Sequence, residues 1–387
     1  MSLELNALFF ATAILLAFGI DHYLGEPAAR WHPVVWMGNY LGWAGRRVVP
    51  WANAEPQAQS GARPPVTTTN PDYKAFIIGA ISWFVGAAIV CVASWALQKG
   101  LLALPDALGP IPGGVLAALL LGLALKPMLA WAMLRREVQA VEDALGESLD
   151  AGRARLARLV SRDVSALSEE EVRESAIESL AENLNDSVVA PIFWFVLLGL
   201  PGAAVYRFAN TADAMWGYRG LYKGQNWQWA GKWAARADDV LSWLPARLTA
   251  VLLAGVAGGL PLAQLRAEAR RTPSPNGGWP MAAMALALGV SLRKPGVYVL
   301  NAAGRAPRLP DTRRAQLYAA KVVAAFAFIA LAGTFLVAIK PSDSNLKISV
   351  RAEPVEACPE QGRRILRQVQ GERVHVGRGW IHEGRLA

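Results

Sequence analysis

The sequence predicts an all-α, polytopic integral membrane protein with about four to six spans and a large helical cytoplasmic portion. Three observations predict it. Apolar side chains make up 53% of the 387 residues, long uncharged runs recur along the chain, and charge-rich stretches separate those runs. Such a chain is too apolar for an ordinary soluble enzyme and too polar for a transporter built mostly of spans.

The first apolar run covers residues 3–20. It contains Glu4, has no basic residue before it and no small-residue cleavage site after it, so a retained span is expected in place of a removable signal peptide. Residues 75–97 carry no charge and are about as long as a bilayer core requires, which makes them the strongest span. Residues 113–134 and 319–339 follow, each with one lysine, Lys126 and Lys321. A lysine near a span end snorkels to the interface, but Lys126 stands nearer the middle. Two further runs, 188–208 and 241–263, are interrupted by Pro191, Gly199, Pro201 and Gly202, and by Pro245 and Arg247. Re-entrant or interfacial helices fit them as well as full spans.

If the first span runs outside to inside, the loop 21–74 with Arg30, Arg46, Arg47 and Arg63 faces the cytoplasm, and the link 98–112 with Lys99 faces out. The third span then returns just before Arg135 and Arg136, in keeping with the cytoplasmic excess of Lys and Arg. Residues 53–72, rich in Pro, Ala, Gln and Thr, read as a flexible insert. Residues 1–340 read as one membrane-embedded domain and 341–387 as a polar, disordered tail with His375 and His382 solvated.

The net charge of +9 is scattered through loops and accompanies no nucleic-acid module. Positive-inside bias and an anionic lipid bilayer account for it, and no nucleic acid is expected as a partner. Cys91 lies in a span and Cys358 in the tail, and no two of the four histidines have a metal-binding helical spacing. Neither an internal disulfide nor a cysteine-ligated zinc site is expected.

Polar and apolar residues mix most closely between 135 and 318. Ser168-Glu169-Glu170-Glu171 reads as an N-cap with a capping-box glutamate, so a helix begins there. At 3.6 residues per turn it sets Ile177, Leu180 and Leu184 along one side and Glu178, Glu182 and Asp186 along another. Carboxylates spaced by four repel by a few tenths of a kcal/mol per pair unless a cation joins them. With Asn183 and Asn185 alongside, they are hard oxygen donors of the kind magnesium takes when it bridges to phosphates. The plain alternative is a solvated acidic face, which the apolar residues pressing on both sides disfavour.

A second constellation is Asn210-Thr211-Ala212-Asp213 with Gly217-Tyr218, then Arg236, Asp238-Asp239 and Pro245-Ala246-Arg247-Leu248. Adjacent carboxylates on a helix cannot point the same way, so Asp238 and Asp239 have different jobs or one is structural. A third is Ser274-Pro275-Asn276-Gly277-Gly278-Trp279-Pro280, whose glycines permit close backbone approach and whose Trp279 offers a stacking face. On composition alone it is a tight loop between interfacial helices. No Walker A loop exists, because Gly231-Lys232 is followed by Trp233 and lacks the upstream glycine.

Taken together these residues resemble a known family. Residues 177–186 (IESLAENLND), Ala190-Pro191, Pro201-Gly202-Ala203, Tyr206, Asn210-Thr211 and Asp213, the Asp238-Asp239 pair, Pro245-Ala246-Arg247-Leu248 and the loop 274–280 resemble the CobD/CbiB family of cobalamin biosynthesis. Near the N-terminus Asp21, Gly25, Pro27, His32-Pro33-Val34 and Met37-Gly38 fit its opening motif, so the resemblance runs from about residue 10 to about 305.

The resemblance implies an adenosylcobinamide-phosphate synthase, a ligase of the inner (cytoplasmic) membrane whose active site faces the cytoplasm. Such an enzyme uses ATP and Mg2+ to join a propionate of adenosylcobyric acid to an amino-alcohol phosphate such as (R)-1-amino-2-propanol O-phosphate. Amide formation needs the carboxylate activated, most simply as an acyl phosphate, and a neutral amine to attack it. On that reading Glu178, Glu182 and Asp186 take the magnesium and phosphate work, with the two glutamates counted among the catalytic residues. Asp213 and Asp238 or Asp239 handle protons, and Arg236 grips phosphate. His32, Asn183, Asn210, Ser274, Asn276 and Trp279 complete the substrate-binding set; His32 either meets a substrate anion or caps a turn.

The sequence also departs from the family's usual wording. Glu26 stands where Asp is common, Val164 where Thr is expected, Ser242 for Asn, Thr272 for His and Met281 for Glu. The last two leave the loop at 274 a role in shape and stacking. ATP is cytoplasmic, so runs 188–208 and 241–263 are expected to dip into the membrane without crossing, leaving four full spans. The alternative function is a non-catalytic scaffold that docks other cobamide-assembly enzymes on its acidic stripe; a transporter is disfavoured, because the surest span carries no ionisable residue.

Overall fold

The computed structural model describes residues 3–49 and 71–339, with side chains for 9–49 and 71–332. The tail expected at 341–387 lies outside the described residues, as do all but the last two residues of the insert expected at 53–72.

Helices α1 (Leu3–Tyr23), α2 (Pro33–Val48), α3 (Tyr73–Leu102), α4 (Leu104–Leu108) and α5 (Pro110–Leu125) form the first part of the bundle. Asp72 caps α3 by accepting the Ala75 amide at 2.9 Å. The 30 residues of α3 rise about 45 Å, and its exposed Ile77, Ile81, Phe84, Ile89, Val92 and Trp95 suit only lipid. Helix α5 lies close against α1 because Gly122 has no side chain: a Cβ there would stand 2.8 Å from Leu16 Cβ. The span expected over 113–134 falls within the candidate span Pro110–Glu147, but its regular helix is interrupted after Leu125. Pro127 withholds an amide donor, Lys126–Met128 form a 3-10 turn, and Ala130 leaves helical geometry before α6 (Trp131–Glu147) begins.

Helix α7 (Leu149–Leu156) leads to α8 (Glu169–Leu184), which starts at the expected capping box of Ser168 and Glu171. Residues Asn185–Val189 then make a π-helical turn, a widening common at functional sites, before α9 (Ala190–Trp216). Helix α9 is not straight. At Gly199 (φ 70°, ψ −158°) the chain reverses, and a Cβ at Gly202 would collide with the carbonyl oxygen of Trp194. Arg207 Nη1 donates to the carbonyl of Asp186 at 3.3 Å and to Ser187 Oγ at 3.1 Å. A continuous helix would separate residues 186 and 207 by about 30 Å. The segment is therefore a helical hairpin, and its tip is held at the far end of α3, where Leu200 N donates to Gln98 Oε1 at 2.6 Å.

A second fold-back follows. Helix α10 (Lys232–Val256) turns at Gly258 and Gly259, α11 (Leu262–Ala269) returns, and Asn276 Nδ2 reaches the carbonyl of Asp239 at 2.6 Å. Helix α12 (Gly278–Leu288) packs its buried Met281, Ala282, Met284 and Ala285 among α8, α10 and α11, and α13 (Leu309–Ile339) packs against α1. Two short antiparallel ribbons complete the fold, β1 (Leu221–Tyr222) with β2 (Gln225–Asn226) and β3 (Leu292–Lys294) with β4 (Tyr298–Leu300).

Among the described residues five helical segments are long and apolar enough to cross a membrane: Tyr73–Leu108, Pro110–Glu147, Glu169–Trp216, Lys232–Val256 and Leu309–Ala332. By length and composition this is an all-α polytopic membrane protein. The third of these contains the reversal at Gly199, and the turn at Gly258 and Gly259 follows the fourth. Gly199 has a backbone conformation open to glycine alone, and an added methyl would also meet the Gln98 amide. Gly199→Ala is therefore expected to cost about 1–3 kcal/mol, read as a lower thermal midpoint in detergent. An unchanged midpoint would show that the tip tolerates a side chain.

Candidate active site

The acidic stripe is on α8 as expected, but its members do different things. Glu178 is 5% exposed, and one of its oxygens, Oε1, is buried without a hydrogen-bond donor. Arg162 stands 3.5 Å from its other oxygen. The β3–β4 ribbon covers this end of the stripe because Glu174, fully buried, clamps Arg293 at 2.9 Å and accepts the Arg293 amide at 3.1 Å. The register of the ribbon sets Lys294 opposite Tyr298. Burial and the charges of Glu178 and Glu182 push the Tyr298 phenol above its ordinary pKa, so it remains a donor.

Glu182 is solvent-accessible although it sits deep in the fold, because it lines a cavity of about 170 Å³ shared with Arg162, Glu178, Asn183, Lys294 and Tyr298. One of its oxygens also faces the backbone of Gly277. Asn183 donates to the carbonyl of Ser179 at 2.9 Å, one turn back on the same helix.

Further along, the π turn aims Asp186 at the hairpin. Asp186 accepts from Asn185 at 2.8 Å and from Tyr206 at 3.4 Å, and Tyr206 shares a 3.1 Å hydrogen bond with Ser242. Asn210 donates to Asp238 at 3.4 Å. Asp186, Asp213 and Asp238 lie within electrostatic reach of one another, Asp213 also of Asp239, and Glu182 of both Asp186 and Asp213. Carboxylates from α8 (Glu182), the π turn (Asp186), the returning leg of α9 (Asp213) and α10 (Asp238) thus gather in one partly exposed cleft. Arg207 is the cation closest in on this cluster, and its Nε is buried without an acceptor.

The paired aspartates divide as their adjacency requires. Asp238 faces Asn210 and the cluster, whereas the carbonyl of Asp239 anchors Asn276 and its carboxylate lies near Arg219. Arg236 is exposed and makes no hydrogen bond or ion pair to these carboxylates. Ser274 Oγ accepts the amides of Asn276 and Gly277 at 3.2 and 3.1 Å, so its hydroxyl is used to shape the loop. Arg247 bonds Asn276 at 2.9 Å and lies 5.0 Å from the ring centre of Trp279. On the outer side of this loop is a larger groove of about 840 Å³, with Trp243, Arg247, Arg266, Arg270 and Trp279 in its walls.

His32 caps α2 through Nδ1, which accepts the Val34 amide at 3.2 Å, and its Nε2 is 3.1 Å from Glu26. Glu26 in turn meets Lys126 at 2.6 Å, and Lys126 meets the fully buried Asp21 at 3.2 Å. This explains a lysine in mid-sequence of an apolar run: it neutralises two carboxylates of the N-terminal motif. The cluster abuts the cleft, since Arg207 lies within reach of both Glu26 and Asp186.

Glu178 on α8 and Asp186 in the π turn are eight residues apart, about 12 Å by helix rise, so Glu178, Glu182 and Asp186 do not close around one magnesium ion. Among the described residues no three Asp, Glu, His or Cys side chains form a ready-made metal cage. Magnesium bound with phosphates needs only one or two carboxylates, a demand that the cation-poor group of Asp186, Asp213 and Asp238 fits. Sequence reasoning missed Arg162, Arg207, Lys294 and Tyr298. Arg162 stands in the Arg162-Asp163 pair of the family's wording but was given no role; the others are brought here by the folding of α9 and of the β3–β4 ribbon.

The profile of the CobD/Cbib protein family matches residues 14–329. A "Probable cobalamin biosynthesis protein CobD" of Methanothermobacter thermautotrophicus is 38% identical over 298 residues, covering 75% of this chain and 86% of the relative. The "Cobalamin biosynthesis protein CobD" of Chromobacterium violaceum is 39% identical over 291 residues, 74% of this chain and 81% of the relative. That of Brucella suis is 33% identical over 325 residues, 78% and 89% respectively. No solved structure matches.

Proposed function

The chain belongs to the CobD/Cbib family of cobalamin biosynthesis proteins, and from that membership we propose that it is an adenosylcobinamide-phosphate synthase. It joins adenosylcobyric acid to an amino-alcohol phosphate through an amide bond at the expense of ATP. The observation that supports this reading most is the meeting of Glu182, Asp186, Asp213 and Asp238, from three separate sequence motifs, in one accessible cleft. A scaffold needs no such convergence.

Magnesium held by one or two of Asp186, Asp213 and Asp238 would neutralise nucleotide phosphate charge. The protein's own groups have the remaining tasks. A carboxylate in the cleft takes the proton that the amine loses as the amide forms, and Glu182, at the junction of cavity and cleft, is placed for it. Trp279 and the arginine-lined groove suit the larger, amphipathic corrinoid. Asn276 and Ser274 hold the loop between groove and cleft and act on substrate through its shape.

Detergent-purified protein supplied with adenosylcobyric acid, 1-amino-2-propanol O-phosphate and Mg-ATP is expected to form the amide, detected by mass. Failure of product with capture of partner enzymes would favour the scaffold. The site is proposed to face the cytoplasm across the inner membrane. A compartment-sensitive reporter fused at residue 225 should therefore signal from the cytoplasm; an exterior signal would separate the cleft from ATP and defeat the shared-site reading.

A further inference from the structure

The cavity beneath the β3–β4 ribbon has a charge pattern that a magnesium nucleotide does not need. Its volume is about 170 Å³, well below the roughly 300–1,000 Å³ of pockets for drug-sized ligands, so it suits a small ligand better than a whole nucleotide or corrin ring. Two cations, Arg162 and Lys294, and two carboxylates, Glu178 and Glu182, share its wall, with Arg162 3.5 Å from Glu178 and Lys294 within electrostatic reach of both glutamates. Glu178 Oε1 and Arg162 Nε are buried without hydrogen-bond partners, so the walls hold an acceptor and a donor still to be matched. Met281 supplies an apolar surface and Tyr298 a hydroxyl, which lies 3.7 Å from the Met281 sulfur.

A small ligand that satisfies all of these at once carries a cation at one end, an anion at the other and a short carbon chain between. We propose that this cavity is the seat of the phosphorylated amine, with its phosphate between Arg162 and Lys294 and its amino group at Glu178 and Glu182. The assignment rests on the synthase reading for its substrate. It removes Glu178 and Glu182 from the magnesium set and makes them the amine subsite, leaving the nucleotide to the aspartates of the adjoining cleft. Glu182 reaches Asp186 and Asp213 electrostatically, so an amine held there points toward the cleft where the second substrate is activated.

The test uses the full chain in lipid nanodiscs and three probes: 1-amino-2-propanol O-phosphate, the same amine without phosphate, and propyl phosphate without the amine. Calorimetry with and without Mg-ATP is expected to show the phosphorylated amine binding at least about tenfold more tightly than either fragment. Lys294 is exposed at the rim, so Lys294→Ala is expected to leave the fold intact. It should weaken the phosphorylated amine about tenfold or more and collapse its preference over the unphosphorylated one, with Lys294→Arg restoring much of both. Glu178→Gln should collapse the preference over propyl phosphate.

If the phosphorylated amine fails to bind with or without nucleotide, or both variants keep its affinity within about twofold of wild type, the assignment is overturned. So is it if Lys294→Ala weakens Mg-ATP and not the amine. Amide formation with an unmoved amine KM in Lys294→Ala would remove the cavity assignment and leave the synthase reading. Selective binding without any amide formation would do the reverse.

Discussion

Asp213→Asn is expected to lower turnover by about 10²–10⁴-fold while the ligand-free protein becomes no less stable. The two effects have one cause. Asp213 shares a half-enclosed cleft with Asp186, Asp238 and Asp239, and it accepts no side-chain hydrogen bond that would be lost. Like charges at short range in a partly dehydrated site repel, and an isosteric amide relieves that repulsion without opening a void. The same repulsion is what a magnesium-bound polyphosphate relieves in the native protein, and the amide forfeits it. Turnover and the rise in thermal midpoint on adding Mg-ATP should therefore fall together, since ligand stabilisation follows affinity. A variant with full activity and a full Mg-ATP shift would take Asp213 out of the site. One that unfolds would show that its role is structural.

Lys126→Met is expected to have the largest effect on stability, a loss of about 3–5 kcal/mol. The ammonium is 1% exposed between the fully buried Asp21 at 3.2 Å and Glu26 at 2.6 Å. Asp21 is committed elsewhere too, because its second oxygen accepts the Ala132 amide at 2.7 Å and fixes the start of α6. Methionine fills the volume but leaves the fully buried Asp21 facing the partly buried Glu26 with no cation between them. The triple variant Asp21→Asn, Glu26→Gln, Lys126→Met removes both excess charges and should recover most of the loss, because apolar or neutral replacement of a whole buried ion set is far milder than removal of one member. Thermal unfolding in detergent reads both. A single variant as stable as wild type would mean that the two carboxylates find another partner or a proton at little cost.

Much of the architecture was legible along the chain, and particular elements show why. Residues 75–97 lack charge over a bilayer's thickness, so α3 follows from solvation alone. Ser168 and Glu171 sit three apart and cap α8 because the capping box is a local hydrogen-bond pattern. The span through Lys126 is not one unbroken helix. A windowed apolar run does not register that Pro127 and a paired lysine stop the helix at Leu125. On composition the interrupted runs left crossing and dipping equally open; the reversal at Gly199, read from contacts 20 residues apart, shows that the run 188–208 is not one straight helix.

The sequence by itself determined the helical membrane class, the helix starts and the residue types available for chemistry, since spans, caps and motif spacing depend on neighbours a few positions away. Only the tertiary structure decided which carboxylates share a cleft, that Glu178 lies beneath Lys294 and Tyr298, and that His32 and Lys126 belong to one buried charge network. Those relations join residues many turns of helix apart, up to 120 positions for Glu178 and Tyr298, and what sets them is the burial of apolar faces and the pairing of enclosed charges, quantities that exist only once the helices have packed.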